Sequence, residues 1–263
     1  MNFPYNSNLR MTSHFRTIIF FLFSAIAVQA QFSSSDLQDL LNRYRQARAE
    51  SSAFLNIRSV AIIGEIQQGG QTYSFELNQK DTGEIRYTLT LDEETIIQVH
   101  DGHDGWRWIS GRPELGANLL TDAQLRFFRL NNSFHTPLDR PQLYDFDVRY
   151  LGVEINDKSE PEHHVQLSSE RFGDTVDVWI DAIDFLEKRR SYRPNEEAEP
   201  LVTTFSDYRK VDGIYTPYTM ESVFKDKQLA RINITKIRRN TGMLSFYFTK
   251  PSTYQKVSKE DLN

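Results

Sequence analysis

The stretch His100-Asp101-Gly102-His103-Asp104 is the grouping in this chain that most resembles a metal site. Imidazole nitrogen and carboxylate oxygen both suit zinc and other divalent ions. Ligands so close in sequence need a third contribution from elsewhere, and no partner stretch is evident. Gly102 and Gly105 fall between two strand-like runs, which is how a hairpin turn reads. The stretch is expected to be a turn, and no metal is assigned. His163-His164 is a second pair, but adjacent side chains on a strand point to opposite faces. Asp177 and Asp181 would share one face of one strand. A glycosidase needs its carboxylates on facing elements inside a cleft, so these two are expected to be solvated acids. The chain has no Gly-x-Ser-x-Gly elbow, no phosphate loop and no His-Glu-x-x-His. No catalytic residue and no cofactor is assigned, and the chain is read as not an enzyme.

What remains is apolar surface in excess. Phe occurs 18 times and Tyr 12 times, more than charge and turn patterns call for. Trp106 and Trp108 alternate onto one face of a strand, and Ile214, Tyr218, Met220 and Phe224 share one face of another. Leu125, Phe127 and Phe128 sit on a short helical pattern that Thr121-Asp122 can cap. Each of these residues reads as packed core or as lining. The lining reading puts Phe127 or Phe128 over a space floored by Trp106, Trp108, Tyr218 and Met220, with Leu125 alongside. Such a space would take an apolar ligand.

The elements that must position these residues are mostly strands. Val176, Val178 and Ile180 alternate with Asp177, Trp179 and Asp181, the period of a sheet with one buried face. Runs at 57–67, 71–77, 84–91, 95–99 and 106–110 are separated by tight turns, Gly69-Gly70 being a strong hairpin signal. Strands resume at 148–155, 164–168, 176–180, 203–209, 214–224 and 229–237. Among the first five runs the connections are too short for parallel crossovers, so they form an antiparallel meander. Helical spacing of Leu37, Leu40, Leu41 and Tyr44 after Asp36 marks an amphipathic helix. The expected fold is mainly β: about eleven strands in one antiparallel sheet, covered by one or two helices, forming a single domain over residues 31–263.

Residues 1–30 read as a signal peptide. Arg10 and Arg16 precede the apolar run Thr17–Val28, and Val28-Gln29-Ala30 fits the small-x-small rule, placing cleavage before Gln31. Met11 is an alternative start. The apolar run is too short for a membrane span, which needs roughly 20 residues. The chain has no Cys, hence no disulfide, no thiolate chemistry and no anchor through an N-terminal Cys. The formal charge is −5, and losing a segment with two arginines and no acid makes it more negative still. No basic stripe suggests nucleic acid. The clusters Lys188-Arg189-Arg190 and Lys236–Arg239 are expected to be solvated sheet faces or edge protection.

Four stretches carry a family resemblance: Asp101-Gly with Gly105-Trp106-Arg107; Thr203-Thr-Phe-Ser-Asp-Tyr-Arg-Lys-Val-Asp-Gly-Ile-Tyr-Thr-Pro217; Arg238-Arg-Asn240; and Phe248-Thr-Lys-Pro251. In these the chain resembles the LolA-like periplasmic proteins, the outer-membrane lipoprotein-sorting group. The resemblance runs from the first helix to Pro251. It implies a strongly bent, incomplete half-barrel of the LolA/LolB type, closed by helices over an apolar cavity. The function implied is a periplasmic, monomeric carrier for lipoprotein acyl chains or other lipid, with envelope proteins as further partners. An envelope sensor or protein-docking module on the same half-barrel is the alternative. Many members of the group are lipid-anchored, whereas this chain lacks the Cys.

Overall fold

The structure, a computed structural model, describes residues 33–50, 53–111, 116–133 and 135–250. The expected signal peptide and its cleavage site, and Pro251, lie outside the described residues.

Helix α1 spans Ser34–Arg48 and α2 spans Asp122–Asn132. The first meander comprises β1 (Ser59–Gln68), β2 (Gln71–Lys80), β3 (Ile85–Leu91), β4 (Glu94–His100), β5 (Gly105–Ile109) and β6 (Asn118–Leu119). The second comprises β7 (Asp147–Ile155), β8 (Pro161–Ser168), β9 (Thr175–Asp181), β10 (Glu187–Arg193), β11 (Leu201–Val211), β12 (Ile214–Phe224) and β13 (Lys227–Arg239). Together they form one curved, unclosed 13-stranded sheet in the order β6-β5-β4-β3-β2-β1-β13-β12-β11-β10-β9-β8-β7. Each meander is built of local hairpins. The seam that joins them is the antiparallel pairing of β1 with β13, where Ile62 meets Ile237 and Ile66 meets Ile232.

Two strands exceed the expected eleven. β6 has two residues and no alternation to reveal it. β10 reads Glu-Lys-Arg-Arg-Ser-Tyr-Arg, and its charged side chains hide the strand. They are accommodated by pairing: Arg190 forks onto Glu187 at 2.8 and 2.9 Å on the helix-covered face. Both Arg190 and Glu187 are largely buried, and so is Arg239, which donates to the Val211 carbonyl. These members of the basic clusters are therefore structural rather than solvated.

α1 starts at a Ser33–Asp36 capping box and carries Arg45 and Arg48 in its last turn, matching the helix dipole. Its buried stripe Leu40, Leu41 and Tyr44 packs on Val165, Leu167, Val176, Val178 and Ile180 of β8 and β9. Arg48 is pinned to Asp139 at 2.5–2.6 Å, tying the end of α1 to the loop after α2. α2 lies on the connection from β6 to β7, the two ends of the sheet, so that connection must pass across the open side. It buries Phe128 against β1, β2, β3, β12 and β13, and Leu130 in the cluster on β8 and β9. Two residues of one helix thus cover both meanders.

The opposite, outer face is covered in part by the chain after β13. The short turn Ser245–Phe248 buries Phe248 completely against Ile97, Val99 and Trp106. Lys80 donates to Ser245 Oγ at 3.1 Å, and Arg86 donates to the Tyr247 carbonyl at 3.0 Å.

The covered face and its open end as candidate functional site

α2 begins at a Thr121–Gln124 capping box and is held at three points. At its first turn Leu125 and Leu120 close in on Gly105 of β5; a Cβ there would lie 2.7 Å from Leu125 Cδ1 and 2.9 Å from Leu120 Cδ1, so a larger residue would push these two leucine ends aside. In the middle Arg126 makes a two-pronged ion pair with Asp174, at 2.5 and 2.7 Å, in the β8–β9 turn. The guanidinium lies near the rings of Phe146 and Phe172, at 4.9 and 4.0 Å from their centroids. The third point is Phe128, only 3% exposed among Ile66, Phe75, Leu77, Ile85, Tyr218 and Ile234.

Phe127, its neighbour, points elsewhere. It is 39% exposed and its ring lies 5.5 Å from that of Tyr192 on β10. It also walls a pocket of ≈ 360 Å³ with Gln98, Arg107, Ile109, Leu119 and Leu120. Toward the β1–β2 and β12–β13 turns, Tyr73, Leu89, Met220, Ala230 and Ile232 pack against the cluster that holds buried Ile66 and are themselves only partly buried. The covered face is thus closed under the helices, and toward this end its apolar side chains are only partly buried.

The expected floor is divided between the two faces. Tyr218 and Met220 lie on the covered face with Phe128, whereas Trp106 and Trp108 lie together on the outer face, packed with Phe248 and Met243. The register fixes this. Paired residues share a face: Trp106 pairs with Val99, Val99 with Arg86, and Arg86 with Asn78, while Leu77 and Tyr87 take the alternate, covered side. Leu125 and Phe127 stand near the rim, and Phe128 is core.

The histidine-rich stretch forms the β4–β5 hairpin turn. Asp101 Oδ1 accepts from the backbone N–H of His103 and Asp104, at 2.9 and 2.8 Å, and His100 is buried with Nδ1 3.0 Å from the Asp104 carbonyl. Among the described residues no three His, Cys, Asp or Glu side chains gather as a metal site. His163 faces α1, bonded to Tyr150 at 2.7 Å and stacked on Phe185. His164 faces outward, as the strand period requires.

There the structure holds a polar cluster that no single strand pattern marks, because its members come from β7, β8, β9 and β10. His164 donates from Nδ1 to Glu154 at 2.7 Å and from Nε2 to Asp177 at 3.0 Å, and stacks on Trp179 with centroids 4.5 Å apart. Trp179 donates to Glu154 at 3.0 Å, and Arg189 lies 3.9 Å above the Trp179 ring. Asp177 is buried, not solvated as expected, and takes further bonds from Gln166 and Arg193. Burial opposes the charge on His164, but the bonds to Asp177 and Glu154 outweigh it and raise its pKa above the ordinary 6.5. Burial also opposes the charge on Asp177, and the bonds from His164 and Gln166 outweigh it and lower its pKa. With both nitrogens donating, the ring has no lone pair for general-base work.

A pH dependence follows. A raised histidine pKa stabilises the fold fully below 6.5, and the contribution is lost as pH rises through the folded value. The stability of the wild type relative to His164→Asn should therefore shrink as pH is raised from 6 upward in urea titrations. A gap that stays constant or widens would show that the ring is neutral in the fold.

No sequence-family model matches the chain, and no curated protein matches it. Solved structures do. A domain described as an outer membrane lipoprotein-sorting protein from Vibrio parahaemolyticus aligns at TM-score 0.56 and 14% identity, over 81% of this chain and 97% of that one. A DUF1329 family protein from Desulfovibrio piger aligns at 0.55 and 18%, over 82% and 96%. A LolA superfamily protein from Nitrosomonas europaea aligns at 0.53 and 12%, over 81% and 97%. The chain has the LolA-like fold.

Proposed function

We propose that this LolA-like half-barrel is an exported, periplasmic binding protein that holds acyl chains, of a lipid or a lipidated protein, in a trough at the open end of its covered face. The observation that carries the reading is the partly buried apolar set Tyr73, Leu89, Met220, Ala230 and Ile232 at the edge of the cluster that holds Ile66. Side chains packed from one side and open on the other gain from a guest that covers them. Each buried methylene of such a guest contributes about 0.8 kcal/mol. Phe127 stands at the rim, between Tyr192 and the pocket beside β5, where a chain would enter. The names of the Vibrio and Nitrosomonas structures support the reading, as does the apolar run Thr17–Val28, which reads as a leader. The role is one of binding: both nitrogens of His164 are taken up by Glu154 and Asp177 in a structural cluster.

The test is native mass spectrometry of protein recovered from the periplasm, followed by titration with fluorescent fatty acids of increasing length. A co-purifying lipid and an affinity that rises about three- to fourfold per methylene are expected. Protein that carries no lipid and binds no fatty acid of any length would overturn the reading.

One observation favours a docking module instead. Tyr44, Tyr144, Phe146 and Phe128 fill the space under the helices, while Val153, Ile155 and Ile183 stand exposed outside it.

A further inference from the structure

We propose that the β7 edge is a self-recognition surface, and that two copies of this chain join there into one continuous sheet. A strand at the end of a sheet presents unpaired N–H and C=O groups, and proteins blunt such edges with short strands, lysines or prolines. The β6 end follows that rule with its two residues. The β7 end is longer, and its protection is limited to one bulge and three charged side chains. It offers nine residues without Lys or Pro, and among the described residues no strand pairs with its outer side. It also exposes apolar side chains: Val153 is 52% and Ile155 65% exposed, and Ile183 in the adjacent β9–β10 turn is 81% exposed.

The sequence of β7 is complementary to itself. In an antiparallel pairing about the point between Leu151 and Gly152, Arg149 meets Glu154 of the second copy, Tyr150 meets Val153, and Val148 meets Ile155. Each match occurs twice. Opposite charges and apolar pairs placed directly across a ladder both stabilise it. Arg149 is exposed and has no ion-pair partner among the described residues, and the Glu154 side chain is half-exposed.

A regular strand would spoil this register, because residues three apart point to opposite faces. The bulge between Tyr150 and Gly152 removes the conflict. Tyr150 pairs with Val165 and Val153 with His163, both on the covered face. Arg149 pairs with Gln166 and Glu154 with Glu162, both on the outer face. The bulged strand therefore matches covered face to covered face and charge to charge about a two-fold axis normal to the sheet. An isologous contact of this kind closes at two copies. The chain, expected from sequence to be a monomer, is assigned a dimer through this edge. The inference is independent of what the trough binds.

The test is sedimentation equilibrium on the chain as the cell processes it, from about 1 to several hundred micromolar, the range in which a small interface dissociates. The wild type should dimerise with a micromolar Kd. Arg149→Glu or Glu154→Lys alone places two like-charge pairs in the contact and should weaken it about 10- to 100-fold. A 1:1 mixture of the two variants restores both attractions in a mixed dimer and should recover most of the affinity. Val153→Lys, at an exposed site that leaves the His164 cluster untouched, should abolish the dimer in this range. Wild type that stays monomeric throughout overturns the proposal. So does a dimer indifferent to Arg149→Glu and Val153→Lys, or an edge occupied by a different polypeptide while this chain remains a monomer.

Discussion

Gly64→Ala lowers the stability of the domain by about 3 kcal/mol or more, the upper part of the range for an overfilled interior. Gly64 lies in β1 at the irregular step of the β1–β13 seam, opposite Ile234. A Cβ at this position would overlap the backbone carbonyl oxygen of Asn233 and lie 2.6 Å from the Phe75 ring. A ring can turn, but a ladder carbonyl cannot move without parting the strands. The seam is the only ladder holding the two meanders together among the described residues, so the damage reaches both. For a domain of this size the loss amounts to roughly 6–12 °C in Tm. Gly111→Ala is the control. Its added methyl would meet only the Glu94 side chain, at 3.6 Å or more, and should leave the midpoint within about 0.5 kcal/mol. Urea titrations of both variants decide the matter. Equal midpoints would mean that the seam can spread to admit a methyl group.

The same seam marks where reading from sequence succeeds. Alternation in Ala230, Ile232 and Ile234, and the Gly69-Gly70 turn, identify β13, β1 and β2 because one face of each is apolar and the turn between two of them is tight. Helix α1 is equally plain from Asp36 and its leucine stripe. β10 is not, since Arg190 faces the interior and is neutralised there by Glu187, three residues away on its own strand. Alternation of hydrophobicity cannot show a buried ion pair. The site divides on the same principle. That Trp106 and Trp108 share a face follows from spacing within β5. That this face is the outer one depends on the register carried across β4, β3 and β2, and on Phe248 arriving from the far end of the chain to cover it. The His164 cluster needs four strands to be in register before any of its bonds exist.

Phe127 and Phe128 separate the structural from the binding role of α2. Phe128→Ala should cost about 3–5 kcal/mol, as for truncation of a ring in a packed interior. Its neighbours Phe75, Leu77, Ile85 and Tyr218 are themselves buried on fixed strands, so they cannot collapse into the space left behind. Phe127→Ala removes a ring already 39% exposed, whose aromatic partner is Tyr192. Its stability cost should stay near 1 kcal/mol, the scale of a single ring pair with modest burial. Affinity for a fluorescent fatty acid should nevertheless fall about tenfold, because a guest leaving the trough past β10 loses a rim contact of that size. The two measurements, urea midpoint and fatty-acid titration, therefore move in opposite order for two adjacent residues. A helix that only seals the core would behave otherwise: Phe128→Ala would be destabilised as described, while Phe127→Ala would leave both readings unchanged. That outcome would remove Phe127 from the site and move attention to the β7 edge as the working surface of the protein.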